Sequence, residues 1–88
     1  MKVQNMTSNN GNKVANQFII TDDYDNQYFQ SYDTTIAIID NSSNITLDKR
    51  ALDYSRTTSR YLYSFLGMDR KGILKAIDEG TISVINLN

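Results

Sequence analysis

The amino-acid sequence contains no cysteine, no histidine, no proline and no tryptophan, and it has only four glycines. Without cysteine, neither a disulfide framework nor a thiolate metal site can form. Without histidine, the chain lacks the usual zinc ligand, the usual general base and the side chain that titrates near neutral pH. These absences predict a protein with no metal and no cofactor, and they are compatible with a reducing compartment.

Long apolar runs are also missing. The longest, such as Ile36–Ile39, have about four residues, whereas a membrane-spanning helix needs roughly 20. The first fifteen residues (MKVQNMTSNNGNKVA) lack the apolar stretch of a secretory signal. We therefore expect no membrane partner and a cytoplasmic location.

The charges that are present are distributed unevenly. Nine basic and ten acidic residues give a net charge of -1 over 88 residues. Residues 49–75, however, hold seven Lys and Arg side chains and only two Asp. This asymmetry indicates that one side of the protein can face a polyanion or an acidic surface.

The N-terminal half reads as strands. Residues 1–13 are rich in Asn, Ser and Gly and predict a flexible tail. Runs of β-forming residues then alternate with polar turn residues, which is typical of hairpins. The predicted strands cover residues 17–21, 27–32, 35–39 and 44–48.

The C-terminal half reads as two helices and a strand. Helical periodicity predicts a first helix from about Ser55, as N-cap, to Leu66, with Gly67 ending it; a longer helix starting at Asp48 is the alternative. Asp69 caps a second helix that runs from Arg70 to Glu79. The alternation in residues 81–87 predicts a final strand.

These elements predict an α+β fold in the order ββββααβ. The expected architecture is an antiparallel sheet of about five strands packed on a two-helix unit. A single domain over residues 14–88 follows, because neither half is large enough to bury a face alone. A chain of this size buries only roughly 60% to 70% of its unfolded surface, so a homodimer, formed by pairing of the C-terminal strand, would add stability.

No residue pattern predicts an enzyme. The acidic turn Asp22, Asp23, Asp25 and Asn26 offers oxygen ligands, but the EF-hand pattern would need Gly and Glu where residues 28 and 34 are Tyr and Thr. A solvated hairpin turn is the preferred interpretation. The glycines build neither G-x-G-x-x-G nor a Walker loop, and nucleophile–base catalysis has no recognisable residues.

The densest group of binding side chains lies on the first predicted helix. At helical spacing, Ser59, Arg60 and Tyr63 fall within about 60° of Arg56. Two guanidinium groups, a hydroxyl and an aromatic ring suit contacts with carboxylates, phosphates or bases. The alternative is that the arginines form ion pairs with Asp53 and the acidic turn, as an ordinary solvated surface.

One local resemblance points to DNA. The end of the first helix at residues 65–67, a tight joint, a basic helix and the sequence Glu79-Gly80-Thr81-Ile82 make residues 58–85 resemble the helix-turn-helix and wing of excisionase-type domains. That resemblance implies contacts of Arg70, Lys71 and Lys75 with a DNA groove.

A broader resemblance covers nearly the whole chain. Residues 14–18 (VANQF), 28–33 (YFQSYD), 53–61 (DYSRTTSRY), 65–67 (FLG) and 86–88 (NLN) look like a family of small uncharacterised proteins encoded by phages and prophages of Gram-positive bacteria. The resemblance implies an accessory protein that binds a host or phage macromolecule in the infected cell. Inhibitors of bacterial defence are one such class.

The sequence therefore predicts a small phage accessory protein without enzymatic activity that binds a host or phage protein. The expected contact residues are Arg56, Ser59, Arg60 and Tyr63. The alternative is a DNA-binding regulator that uses the helix pair over residues 55–79, with Arg70, Lys71 and Lys75 on the nucleic acid.

Overall fold

The computed structural model describes residues 1–8 and 10–88 and has six strands and two helices in the order βββββααβ. One sheet contains all six strands in chain order, so each strand lies beside the next. The elements are β1 (Lys2–Thr7), β2 (Lys13–Thr21), β3 (Gln27–Ser31), β4 (Thr34–Ile39), β5 (Ile45–Asp48), α1 (Arg56–Leu66), α2 (Arg70–Asp78) and β6 (Ile82–Ile85).

The α+β class is confirmed, with two corrections to the sheet. It has six strands rather than about five, and it is mixed rather than antiparallel. Strands β1 to β5 pair antiparallel, whereas β6 runs parallel to β5, with Ile45 opposite Ile82. A parallel neighbour requires a crossover connection, and α1 and α2 provide it.

The prediction of a flexible tail over residues 1–13 is wrong for the strand β1. Val3 lies opposite Ile20 and Asn5 opposite Phe18 in the β1–β2 ladder. Met6, only 7% exposed, packs into the core. The polar composition of the segment gave no strand signal, because β1 is stabilised by its pairing with β2 and by the burial of one side chain, Met6, rather than by a run of β-forming residues.

Both helices pack on one face of the sheet. Helix α1 lies against β3 and β4, and α2 lies against β6. The side chains buried most completely between the helices and the sheet come from both layers. The sheet contributes Phe29, Ile36 and Leu47, and the helices contribute Leu62 and Ile73. A register irregularity in the β3–β4 pair lets the neighbours Ile36 and Ala37 both be fully buried, which strict alternation would forbid.

Candidate functional site

Helix α1 begins and ends where its sequence predicts. The Ser55 hydroxyl accepts the Thr58 N–H at 3.3 Å, as expected of an N-cap. Gly67 has a φ of 71° and donates its N–H to the Tyr63 carbonyl at 2.8 Å. Both caps are confirmed, and they fix which residues of α1 face the sheet.

The inner side of α1 is attached to the sheet by apolar and polar contacts. Leu62 is fully buried, and the ring of Phe65 lies 5.8 Å from that of Phe29, centroid to centroid. The hydroxyls of Thr58 and Ser31 are 3.3 Å apart and join the start of the helix to β3. The opposite side of α1 is therefore held facing the solvent.

The four residues predicted to bind a partner lie on this solvent side or at its border. Arg56 and Arg60 are exposed, and Ser59 and Tyr63 are half-buried. The Tyr63 ring packs against the core, so only part of it is available for a contact. We call Arg56, Ser59, Arg60 and Tyr63 the α1 surface.

The positive charges of the α1 surface lie at positions where the local electrostatics is unfavourable for a cation. Arg56 occupies the first turn of α1, which has no acidic residue, and the positive end of the helix dipole disfavours a cation there. Arg60 follows four residues later, at the spacing where like charges repel. Neither arrangement stabilises the helix.

The interpretation that these arginines pair with Asp53 and the acidic turn is wrong. Across residues 1–8 and 10–88, the one ion pair within about 4 Å joins the Met1 amine to the Asp23 carboxylate, at 2.7 Å. Asp53 is exposed. Both guanidinium groups of the α1 surface are left to solvent or to a partner.

The residues of the DNA-binding alternative lie on α2. Arg70, Lys71 and Lys75 are exposed, and Asp69 caps the helix by accepting the Gly72 N–H at 2.8 Å. Arg70 donates to the Leu52 carbonyl at 3.1 Å. It therefore holds α2 against the segment that precedes α1, whereas Lys71 and Lys75 extend into solvent.

A repeated turn is a feature that the sequence analysis missed. The turns at residues 22–26 and 40–44 share two backbone hydrogen bonds. The N–H of the first residue donates to the carbonyl of the fifth, and the N–H of the fourth residue donates to the carbonyl of the first. The same two bonds join Ser8 with Asn12 and Gly11 with Ser8. The fourth residue has a positive φ in each turn, and the fifth is Asn. The Asn at the end of each turn was therefore the signal that the sequence offered.

The acidic turn is closed by its own aspartate. Both carboxylate oxygens of Asp22 accept hydrogen bonds, from the Tyr24 and Asn26 N–H groups, the Asn26 side chain and the Tyr28 hydroxyl. The Asn26 side-chain bond, with smaller contributions from the others, lowers the pKa of Asp22 from 3.8 to about 2. The bond to Asp22 raises the pKa of Tyr28. The carboxylate is used to fold the turn, in keeping with a solvated hairpin turn.

Two further observations concern ligands and membranes. In the part of the chain that the structure describes, no three His, Cys, Asp or Glu side chains come together in a way that could hold a metal ion. No helix in that part has both the length and the apolar character needed to cross a bilayer.

Comparison with known proteins gives one match. No curated protein and no solved structure matches the chain. A family of unknown function, DUF8033, matches residues 1–80. Because this match covers every described element except β6, the chain belongs to the DUF8033 family.

Proposed function

We propose that this protein acts by binding another protein, and that the α1 surface contacts an acidic patch on that partner. The observation that carries the proposal is the placement of Arg56 and Arg60. Both are exposed, they repel each other across one helical turn, and Arg56 lies at the positive end of the helix dipole. A carboxylate-bearing partner would relieve both effects and gain bidentate hydrogen bonds.

The remaining residues of the α1 surface support this proposal. Tyr63 packs against the core, so its ring is already held in place and loses little conformational entropy on binding. Tyr and Arg are the side chains that most often dominate the energy of protein interfaces. Ser59, half-buried beside them, adds a small hydrogen-bonding group.

The nature of the partner is also part of the proposal. In the phage context that the sequence resemblance implies, the partner is a host or phage protein in the cytoplasm of the infected cell. The α1 surface would cover an acidic patch that the partner needs for its own contacts, and the outcome would be inhibition, as in proteins that block bacterial defence.

Features of α2 make DNA binding the second candidate. In the resemblance the segment after α2 corresponds to the wing, and in this structure it is the strand β6, which pairs parallel with β5. Arg70 contacts the Leu52 carbonyl, which leaves Lys71 and Lys75 for phosphates. The observation that supports DNA binding is the excess of basic residues over residues 49–75.

The test is affinity capture from host lysate, with and without nuclease, using three forms of the tagged protein. We expect the unchanged protein and the control Lys71→Ala/Lys75→Ala to retain one nuclease-resistant protein. Arg56→Ala/Arg60→Ala should lose it. Each interface arginine contributes about 2 kcal/mol, so removing both should weaken binding about 700-fold.

The same double variant should fold normally. Removing the Arg56–Arg60 repulsion and the dipole penalty should leave the free energy of unfolding unchanged or raise it by up to about 1 kcal/mol, as measured by urea unfolding. Capture that depends on nucleic acid and is lost with Lys71→Ala/Lys75→Ala would instead support DNA binding. Capture of the same protein by Arg56→Ala/Arg60→Ala would show that another surface is used.

A further inference from the structure

The face of the sheet opposite the helices carries an apolar row. Cross-strand pairs place Val3, Ile20, Tyr28, Ile38, Thr46 and Ser83 side by side across all six strands. Their chain neighbours Ile19, Phe29, Ala37 and Leu47 belong to or pack against the core under the helices. Since successive side chains of a strand alternate, the row faces away from the helices.

A second row continues the same face with Asn5, Phe18, Gln30 and Thr35. We call these two rows the open sheet face. Half of its ten residues are apolar and none is charged, whereas the outer face of an antiparallel sheet is usually polar. Val3 is 61% exposed, and Phe18, Ile20, Tyr28 and Ile38 are each partly exposed.

We propose that the open sheet face binds a second copy of this chain. In such a dimer the two sheets stack face to face about 10 Å apart, with one helix layer on each outer side. The ten residues themselves carry no charge, and the Asp22 carboxylate at the edge of the face already accepts a hydrogen bond from the Tyr28 hydroxyl, so the dimer would bury no unpaired charge at its centre. The helix side, with seven basic and four acidic residues over 49–79, has a net positive charge that would repel its own copy.

The size of the face suits a dimer. Six strands spaced about 4.8 Å apart, with about five residues of 3.4 Å each, make a sheet of about 29 by 17 Å, or about 500 Å², of which the ten residues of the open sheet face cover about two thirds. Two copies that stack over the whole sheet bury about 1,000 Å² in projection, and more over the uneven side chains, which reaches the lower range of specific interfaces.

Sedimentation equilibrium of the intact protein tests the proposal. We expect the mass to rise with concentration, up to about 0.5 mM, from the monomer towards the dimer; the monomer mass is 10.0 kDa. Ile38→Lys, near the centre of the face, should raise the dissociation constant about 100-fold or more, because a two-fold interface buries two unpaired charges. The control Leu74→Lys, at an exposed position on α2, should leave it unchanged.

The absence of cysteine allows a second test that does not depend on the charge change. A single Ile38→Cys should be cross-linked between copies by a short bismaleimide, since sheets about 10 Å apart exceed disulfide reach. Leu74→Cys should not. A monomer at all concentrations would overturn the proposal, as would an undisturbed Ile38→Lys dimer. Loss of the dimer only with Val84→Lys, on the exposed edge strand β6, would show edge pairing instead.

Discussion

A single carboxylate, that of Asp22, links the stability of the first acidic turn to pH. Its pKa is about 2 in the folded protein, against 3.8 for the ordinary side chain. A lowered folded pKa means that the contribution to stability is complete above about 3.8 and is lost as the pH falls towards 2. The turn is therefore expected to weaken in acid, with no change near neutral pH.

Asp22→Asn should make this dependence visible. The variant keeps one oxygen acceptor but loses the charge, so it should be less stable than the unchanged protein near pH 7. The gap in the free energy of unfolding should narrow as the pH falls to about 2.5. Below about 3.8 the unfolded chain gains a proton at Asp22 that the folded protein, with its pKa of about 2, still lacks, and this offsets the stabilisation by the charge. Urea unfolding at both pH values measures the gap, and a gap of equal size at both would contradict the role of ionised Asp22.

At the scale of the element, Gly67 decides how α1 ends. Its φ of 71° lies in the left-handed region, and an added Cβ would meet nothing within 4 Å. Gly67→Ala should therefore cost only the backbone strain, about 1 kcal/mol, and lower the melting temperature by about 4–8 °C.

Ser64→Ala, at an exposed position of the same helix, is the matched control. It should leave the melting temperature unchanged or raise it slightly, because Ala is the better helix former. A Gly67→Ala protein as stable as the control would mean that the chain after α1 relaxes to another ending.

The helix ends were predictable from the sequence and the sheet edges were not. Ser55, Gly67 and Asp69 act through bonds to residues three or four positions away, so the local sequence contains the whole signal. Strand β1 exists through its pairing with β2, and the parallel direction of β6 depends on the path of the two helices. The alternating pattern of a strand specifies neither which strand it pairs with nor whether the pairing is parallel or antiparallel.

The same division holds for the α1 surface. Helical periodicity predicted that Arg56 and Arg60 share the exposed side, and the structure places both there. The depth of Tyr63, which packs against the core, and the absence of an Asp53 pair depend on neighbours in other elements. Side chains at the border of a helical face are therefore the ones that sequence alone misplaces.

At the scale of the whole molecule, Asp48 attaches the C-terminal segment to the sheet. Its carboxylate, on a residue only 4% exposed, accepts the N–H groups of Leu87 at 2.9 Å and Arg50 at 3.1 Å. The Leu87 N–H is the main cause of the lowered pKa of Asp48. The Asn88 side chain then pairs with the backbone of Thr35 on β4.

Asp48→Ala should loosen this end of the fold. Leaving the Leu87 N–H without its acceptor should cost about 1–3 kcal/mol, and amide hydrogen exchange should quicken in β6 more than in β2 to β4. Asp48→Asn keeps an acceptor and should lose less. Equal exchange in all strands after Asp48→Ala would show that the segment is held by other contacts.

The parallel strand β6 also sets the order in which the chain can fold. Strands β1 to β5 pair with immediate neighbours through short turns, whereas Ile45 meets Ile82 only 37 positions later in the sequence. Closing that long loop costs more entropy than closing a hairpin, so the five-stranded meander is expected to form first. During synthesis it can assemble before Ile82 has left the ribosome. Until β6 arrives, β5 is a second open edge of the sheet besides β1, and that interval is when the nascent chain is most exposed to pairing with a wrong strand.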